Sequence, residues 1–268
     1  MNILEQIITY KRSDVEKRRS EISVSALEES FYFNRQTLSL KDSLQMESTT
    51  GIIAEFKRRS PSKGIINDKV SVADVTKAYV ENGASGLSVL TDEKFFAGSD
   101  EDLLEARIND IPILRKDFII DEYQVIEAKS IGADVILLIA ACLTPDEVRQ
   151  LSAFARKLDL EVLLELHDES ELEHICEETE LIGVNNRSLK TFAVNIERSL
   201  KMSEQIPNNK IKITESGINS VDDIMLFREN GFKGFLIGEL FMKEADPAIA
   251  FEEFVNALQL MPPHSEGF

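Results

Sequence analysis

The chain has 268 residues, a hydrophobic share of 43% and a formal net charge of −18 at pH 7. Length and composition are sufficient for a buried core that folds without a disulfide or a structural metal. The negative charge repels phosphate backbones, so we expect no nucleic-acid partner.

Residues 1–48 show helical spacing of apolar residues and no strand pattern. Ile3, Ile7 and Ile8 form one apolar stripe, and residues 27–31 and 38–44 form further amphipathic pieces. Charges interrupt the apolar positions of the first turns, unlike a signal peptide or a membrane span. We therefore expect an N-terminal helical extension, a cytoplasmic protein and no membrane partner.

Eight short runs rich in Ile, Leu and Val follow this extension. They span 51–56, 86–90, 112–115, 134–140, 161–166, 181–184, 211–214 and 234–237. Most are almost continuously apolar, which is typical of parallel strands that are buried on both faces.

Segments with helical periodicity separate most of these runs. They cover 73–82, 121–131, 145–158, 169–178, 221–230 and 248–258, and Ser71, Thr144, Asp168 and Ser220 are suitable N-caps. Gly83, Gly132 and Gly231 follow three of the helices, where a left-handed residue commonly ends a helix.

This alternation predicts a closed (β/α)8 TIM barrel, because a helix between two strands favours their parallel order. We expect one domain over residues 1–268, with the helical extension at 1–48 and the barrel at 49–260. A doubly wound open sheet is the alternative, but no GxGxxG motif follows the first predicted strand.

Polar residues end several of the predicted strands, at the place where a TIM barrel builds its active site. Glu55 and Lys57 are two positions apart and therefore face the same side of their strand. Any one such residue could equally be a solvated loop residue, but their common position favours convergent acid–base chemistry. The converging set is Glu55, Lys57, Lys116, Glu165, Asn185 and Glu215.

Glycine-bearing turns follow the seventh and eighth predicted strands, with Ser216 and Gly217 in one and Gly238 and Glu239 in the other. Main-chain amides in such turns bind anions, and a phosphate site recurs at this place in TIM barrels. We expect the amide of Glu239 to face the ligand and its carboxylate to point away.

A basic segment, residues 57–64, follows the first predicted strand. Lys57, Arg58, Arg59 and Lys63 make it a candidate site for an anionic substrate on an acidic protein. Its proline and glycine residues fit a mobile lid, whereas Arg58 and Arg59 are expected to be solvated or paired.

The histidines and cysteines lack the spacing of metal ligands. His167, His174 and His264 form no HxH or HxxH pair, and Cys142 and Cys176 form no CxxC pair. We therefore expect no metal, and the chemistry that remains is that of lysine and carboxylate groups.

Six motifs resemble the indole-3-glycerol-phosphate synthase family of tryptophan biosynthesis. They are IAEFKRRSPSKG at 53–64, LTDEKFFAGS at 90–99, LRKDFI at 114–119, IGVNNR at 182–187, TESGI at 214–218 and FLIG at 235–238. The resemblance covers essentially the whole chain. It implies a carboxy-lyase that closes the ring of 1-(2-carboxyphenylamino)-1-deoxyribulose 5-phosphate, with loss of carbon dioxide and water and with no cofactor.

The resemblance also implies catalytic roles. Lys116 would be the general acid that protonates the substrate ketone. Glu165 and Lys57 would serve the later dehydration, with the division between them left open. Glu55 would position the lysines, and two further residues, Asn185 and Glu215, would bind a substrate hydroxyl or amine.

The expected substrate-binding residues are Ser60, Phe96, Phe118, Arg187, Ser216, Gly217, Gly238 and Glu239. The resemblance assigns the ribulose chain to Arg187 and the phosphate to Lys57 and the two glycine-bearing turns. Phe96 and Phe118 would flank the anthranilate ring, although packing of the loops explains them equally well. Glu239 stands where many relatives have serine, so we expect a modest loss of phosphate affinity.

Two other functions are weighed against this one. Phosphoribosylanthranilate isomerase, another phosphate-binding barrel, uses a cysteine and aspartate pair, and no cysteine ends the first predicted strand. A non-catalytic barrel subunit would be expected to have lost Lys57, Lys116 or Glu165. We expect a monomer, with a weak homodimer as the alternative.

Overall fold

The computed structural model describes residues 3–46, 48–189 and 191–261, and its centre is a closed barrel of eight parallel strands. The strands are β1 (Ile52–Phe56), β2 (Gly86–Leu90), β3 (Ile113–Lys116), β4 (Val135–Ile139), β5 (Glu161–Leu166), β6 (Leu181–Asn185), β7 (Ile211–Glu215) and β8 (Phe232–Ile237). Each strand pairs with the next in the chain, and β8 pairs with β1. The predicted TIM barrel is confirmed, and the open sheet is excluded.

Three helices precede the barrel: α1 (Ile3–Glu21), α2 (Val24–Glu28) and α3 (Leu40–Gln45). The expected helical extension is confirmed for the part of residues 1–48 that the structure describes. Ile7 of α1 and Leu40 and Leu44 of α3 are buried in one cluster with inward-facing strand residues such as Ile53 and Leu114. The extension therefore belongs to the core of the barrel.

Nine further helices lie along or after the barrel strands. They are α4 (Val72–Glu81), α5 (Glu93–Phe96), α6 (Asp100–Ala106), α7 (Glu122–Ser130), α8 (Pro145–Lys157), α9 (Ile196–Ser203), α10 (Val221–Glu229), α11 (Glu239–Met242) and α12 (Pro247–Gln259) among the described residues. The predicted N-caps Ser71, Thr144, Asp168 and Ser220 all accept main-chain hydrogen bonds with their side chains. Gly83, Gly132 and Gly231 have φ values of 93°, 90° and 80°, as expected of left-handed residues that end helices.

One predicted helix is wrong. The segment 169–178 forms only a 3-10 helix at Glu169–His174, after which the chain leaves the helix at Ile175. Five of its ten residues are glutamates, one of them at position 178, and like charges at helical spacing disfavour a longer helix.

The basic segment after β1 forms a hairpin in which Arg59–Ser60 pairs antiparallel with Gly64–Ile65. Arg58 binds Asp102, with 2.9 Å between Nη2 and Oδ1, and Arg59 donates to main-chain oxygens of residues 93–95. Both arginines are thus paired, and they link the hairpin to the helices α5 and α6 that follow β2. None of the helices in the described ranges is long and apolar enough to cross a membrane.

Candidate active site

A cavity of about 430 Å³ opens among residues at the carboxyl ends of the barrel strands. All residues predicted for catalysis or substrate binding line it: Glu55, Lys57, Ser60, Phe96, Lys116, Phe118, Glu165, Asn185, Arg187, Glu215, Ser216, Gly217, Gly238 and Glu239. The parallel order of the strands brings their ends together, although these residues are scattered through the chain.

Glu55, which is buried near the end of β1, and the half-buried Lys57, directly after the strand, form an ion pair. Lys57 Nζ lies 2.6 Å from Glu55 Oε1, and Ser88 of β2 lies 3.3 Å from the other oxygen. Burial alone would raise the pKa of Glu55, but the charges of Lys57 and Lys116 outweigh burial and lower it. Glu55 is therefore an anion that holds Lys57 in place.

Lys116, at the end of β3, lies between two carboxylates. Its Nζ atom is 3.3 Å from Glu165 Oε2 and 3.3 Å from Glu215 Oε2. Burial alone would lower the pKa of Lys116, but Glu165, Glu215 and, from further away, Glu55 raise it. Lys116 is consequently a cation that faces the cavity.

Glu165 and Glu215 have opposite pKa shifts. Burial alone would raise the pKa of Glu165, but Lys116 and His167 lower it, and Asn185 Nδ2 donates a 3.1 Å hydrogen bond to its Oε1. Burial, followed by the charge of Glu165, raises the pKa of Glu215 to about 8. At neutral pH Glu165 is ionised and Glu215 carries a proton.

Two glycines make room for these carboxylates. A Cβ atom at Gly183, in the middle of β6, would overlap the Glu215 carboxylate, and one at Gly238 would overlap Glu55. We predicted Gly238 as a ligand for phosphate, but Gly183 was missed. The available signal was a glycine inside an apolar run, which marks a close approach of another group.

The turns after β7 and β8 also line the cavity. Ser216 and Gly217 have φ values of 66° and 73°, so the chain turns sharply directly after Glu215. Gly217 needs to be glycine for a second reason, since a Cβ atom would overlap Val194. Gly238 lies immediately before α11, which begins at Glu239.

The Glu239 carboxylate does not point away from the cavity, and that expectation was wrong. Its two oxygens lie 3.2 Å from Arg187 Nη2 and 3.4 Å from Lys63 Nζ, and all three residues line the cavity. The cause is charge: two cations at the mouth attract a nearby anion that the main chain alone would not have oriented.

Apolar residues form another wall of the cavity. The rings of Phe96 and Phe118 pack with their centroids 6.1 Å apart, and Ile3, Leu4 and Ile7 of α1 lie along the same cavity. The helical stripe at the N-terminus was predicted, but its position at the site was not. Within residues 3–46, 48–189 and 191–261, no group of His, Cys, Asp and Glu side chains has an arrangement that could hold a metal ion.

Comparison with known proteins identifies the family. The family model described as indole-3-glycerol phosphate synthase matches residues 4–254. This chain belongs to the indole-3-glycerol phosphate synthase family. The resemblance seen in the sequence motifs is thereby confirmed.

Similar members of the indole-3-glycerol phosphate synthase family come from several bacteria. The protein of that name from Bacteroides thetaiotaomicron is 45% identical over 259 residues, which is 96% of this chain and 99% of the relative. The one from Polynucleobacter necessarius is 42% identical and covers 95% of this chain and 99% of its own.

Solved structures with the same fold are more distant in sequence. A chain of the tryptophan synthase α2β2 complex from Pyrococcus furiosus has a TM-score of 0.58 at 14% identity, covering 78% of this chain and 97% of its own. The tryptophan synthase α subunit of Legionella pneumophila has a TM-score of 0.56, also at 14% identity, with coverages of 78% and 90%. This likeness supports the barrel fold alone.

Proposed function

We propose that the chain converts 1-(2-carboxyphenylamino)-1-deoxyribulose 5-phosphate into indole-3-glycerol phosphate in tryptophan biosynthesis. Membership of the family supports this reaction. The observation that carries the proposal is the position of Lys116, a cation 3.3 Å from the ionised Glu165 and 3.3 Å from the protonated Glu215 inside one cavity. The reaction needs proton donors and an acceptor at one place, and this cluster contains both.

Lys116 is the acid of the first step. The ring carbon that bears the carboxylate attacks the substrate ketone, and the ketone oxygen takes a proton from the Lys116 ammonium group. Carbon dioxide then leaves, and its bonding electrons restore the aromatic ring. A buried cation stabilises the charge that develops on the ketone oxygen, because little water screens it.

Glu165 and Lys57 serve the dehydration that follows. Glu165 is ionised at neutral pH, so it accepts the proton that the substrate loses. Lys57 donates a proton to the leaving hydroxyl, while Glu55 holds Lys57 in position at 2.6 Å. Asn185 and Glu215 bind a hydroxyl or the amine of the substrate from the ends of the neighbouring strands.

The two ends of the substrate bind at opposite walls. The phosphate takes main-chain amides of the turns at Ser216–Gly217 and Gly238–Glu239, with Lys57 nearby, and Arg187 steadies the ribulose chain. The anthranilate ring packs against Phe96 and Phe118, and Ser60 of the hairpin closes over the substrate. Since the Glu239 carboxylate already binds Arg187 and Lys63, an incoming phosphate competes with it, which lowers the affinity modestly.

We also infer that the enzyme acts in the cytoplasm as a monomer. Both cysteines are unpaired, as is usual in a reducing compartment. One chain supplies the whole set of catalytic groups around the cavity, so a second copy is not needed for the reaction. Neither Cys142 nor Cys176 is among the described residues that line the cavity, which gives no support to the isomerase alternative.

A fluorescence assay of indoleglycerol phosphate formation tests the function. Lys116→Ala removes the acid of the first step and is expected to lower kcat by about 100- to 10,000-fold. Lys157→Ala, at an exposed position of α8, is the matched control and is expected to match the wild type. No product from the wild-type chain would refute the function, and near-normal turnover in Lys116→Ala would refute the acid role.

A further inference from the structure

His167 lies directly behind Glu165, one residue beyond the end of β5. Its Nε2 atom is 2.9 Å from Glu165 Oε1, and only 7% of the imidazole side chain is exposed. Side chains two positions apart on a strand face the same side, which explains why the imidazole reaches the carboxylate. The ring is outside the set of described residues that line the cavity, so it touches Glu165 from behind.

The imidazole of His167 forms no well-aligned hydrogen bond with any of the described residues. Nε2 is close to Glu165 but poorly aligned for a hydrogen bond, and Nδ1 is 4.0 Å from Glu171 Oε2. Burying a polar ring in this way costs free energy unless an interaction compensates for it. The nearest compensation is the charge of the two carboxylates on either side.

The two oxygens of Glu165 have different neighbours. Oε1 receives Asn185 Nδ2 at 3.1 Å and lies 2.9 Å from His167, whereas Oε2 lies 3.3 Å from Lys116. Held at Oε1 from two directions, the carboxylate cannot rotate without losing both contacts. Oε2 therefore stays directed at Lys116 and at the space where the substrate reacts.

We propose that His167 is a positioning residue, which holds Oε1 of Glu165 so that Oε2 stays aimed at the reacting atoms and favours the ionised carboxylate. Removal of this contact lets the carboxylate rotate and makes its protonation easier. Residues that contact a functional side chain from behind commonly fix its orientation in active sites. The inference rests on the proposed function for one point, the assignment of Glu165 as a reacting group.

Other titratable groups surround His167. Glu171, on the 3-10 helix Glu169–His174, accepts a 2.6 Å hydrogen bond from the main-chain amide of His167. Cys142, on the 3-10 turn Ala140–Cys142 after β4, is half-buried, and burial together with the charges of Glu165 and Glu171 raises the pKa of its thiol. Cys142 therefore stays neutral, and the carboxylates of Glu165 and Glu171 are the charges that the imidazole faces.

His167→Leu and His167→Gln separate positioning from packing. Leucine keeps much of the volume without a donor, whereas glutamine keeps an N–H group near the place of Nε2. His174 is a matched control, because both of its ring nitrogens bind main-chain oxygens, at 3.0 Å and 2.9 Å, and it contacts none of the catalytic groups described above.

The readout is the pH profile of kcat and kcat/KM for the four proteins. In His167→Leu we expect kcat to fall about tenfold with little change in KM. Because His167 lowers the pKa of Glu165, its loss raises that pKa, and the acid limb moves to higher pH by about one unit. His167→Gln should recover most of kcat, and His174→Leu should leave the acid limb unmoved.

An unmoved acid limb in both His167 variants, or an equal loss of kcat in His167→Gln and His167→Leu, would overturn the proposal. If His167→Leu does not fold, the acid limb and the kcat of His167→Gln, compared with those of wild type, still test the positioning role. A wild-type chain that forms no indoleglycerol phosphate would instead refute the proposed function. The two failures are therefore distinguishable.

Discussion

Glu165 and Glu215 show how neighbouring residues give two identical carboxyl groups different protonation states. Both are buried at the ends of nearby strands, and both lie 3.3 Å from the same lysine. Only Glu165 also has a histidine and an asparagine on its other oxygen. The pair thus holds one proton at neutral pH, which provides a base and a donor in one site.

This arrangement predicts an alkaline limb in the pH profile. The pKa of Glu215 is raised to about 8, so the group is protonated below pH 8 and ionised above it. Ionisation removes a hydrogen-bond donor and adds a second negative charge beside Lys116 and Glu165. We expect kcat/KM to fall as the pH rises through about 8. Glu215→Gln, which cannot ionise, should lose this limb, and an unchanged limb in that variant would assign it to another group.

At this scale the sequence predicts the side chains that face the cavity, because strand ends are visible as the last positions of apolar runs. It does not predict the groups that act on those side chains. Ser88 and Gly183 touch Glu55 and Glu215 from neighbouring strands, and such contacts depend on strand register. The direction of the Glu239 carboxylate was missed for a similar reason, since its partners lie in other loops.

Among the elements, α1 is joined to the barrel by buried ion pairs. Lys11, only 3% exposed, lies 2.9 Å from Asp92 and 2.8 Å from Asp117, which directly follows Lys116. Arg115 of β3 is also buried and lies 3.4 Å from Asp117. The helix that walls the cavity is therefore linked to the strand that carries the catalytic lysine.

Lys11→Met is expected to destabilise the protein strongly. The change leaves Asp92 buried without its cation and Asp117 with Arg115 alone, and breaking a buried pair costs about 3–5 kcal/mol. Lys17→Met, which removes an exposed pair with Glu21 in the same helix, should cost less than about 1 kcal/mol. Urea unfolding at pH 7 measures the free energy of unfolding of both variants. Equal losses of stability would show that the buried Lys11 pairs contribute no more than the exposed Lys17 pair.

The loss of stability in Lys11→Met depends on pH. Burial alone would raise the pKa of Asp117, but Lys11 and then Arg115 lower it. A carboxyl whose pKa is lowered in the folded state stabilises the protein above its unfolded pKa, near 3.9, and loses this contribution as the pH falls. The difference between wild type and Lys11→Met should therefore shrink in acid.

Elements differ in how well the sequence predicts them. The bounds of the barrel strands agree within two residues, because buried parallel strands are continuous apolar runs. The sequence does not predict the hairpin or the short helices α5 and α11. Elements of so few residues are too short to show a hydrophobic period. The helix α6 was missed as well, although its capping box of Ser99 and Asp102 was a usable signal.

For the whole molecule, we propose that residues 1–268 form one domain, with the extension at 1–48 and the barrel at 49–260. Two contacts of the extension support this. Ile7 of α1 and Leu44 of α3 are buried in the same apolar cluster as residues inside the barrel, such as Leu137 and Leu236. A barrel without its extension would expose this apolar surface to water.

One cooperative unfolding transition is therefore expected. The chain has no tryptophan and four tyrosines, so tyrosine fluorescence, far-UV circular dichroism and enzyme activity are suitable probes. The three curves should coincide in urea, as expected when one core unfolds as a unit. An early transition that removes activity and some helical signal while most of the barrel signal remains would argue for a separable extension.

The closure of the barrel between β1 and β8 has a consequence for biosynthesis. On the ribosome, β1 leaves the exit tunnel long before its partner, so the nascent sheet has an open edge that can pair with other chains. Until β8 emerges, that edge of β1 has no strand to pair with, and the sheet cannot close. Catalytic competence can arise only after β8 and the turn at Gly238–Glu239 have been made.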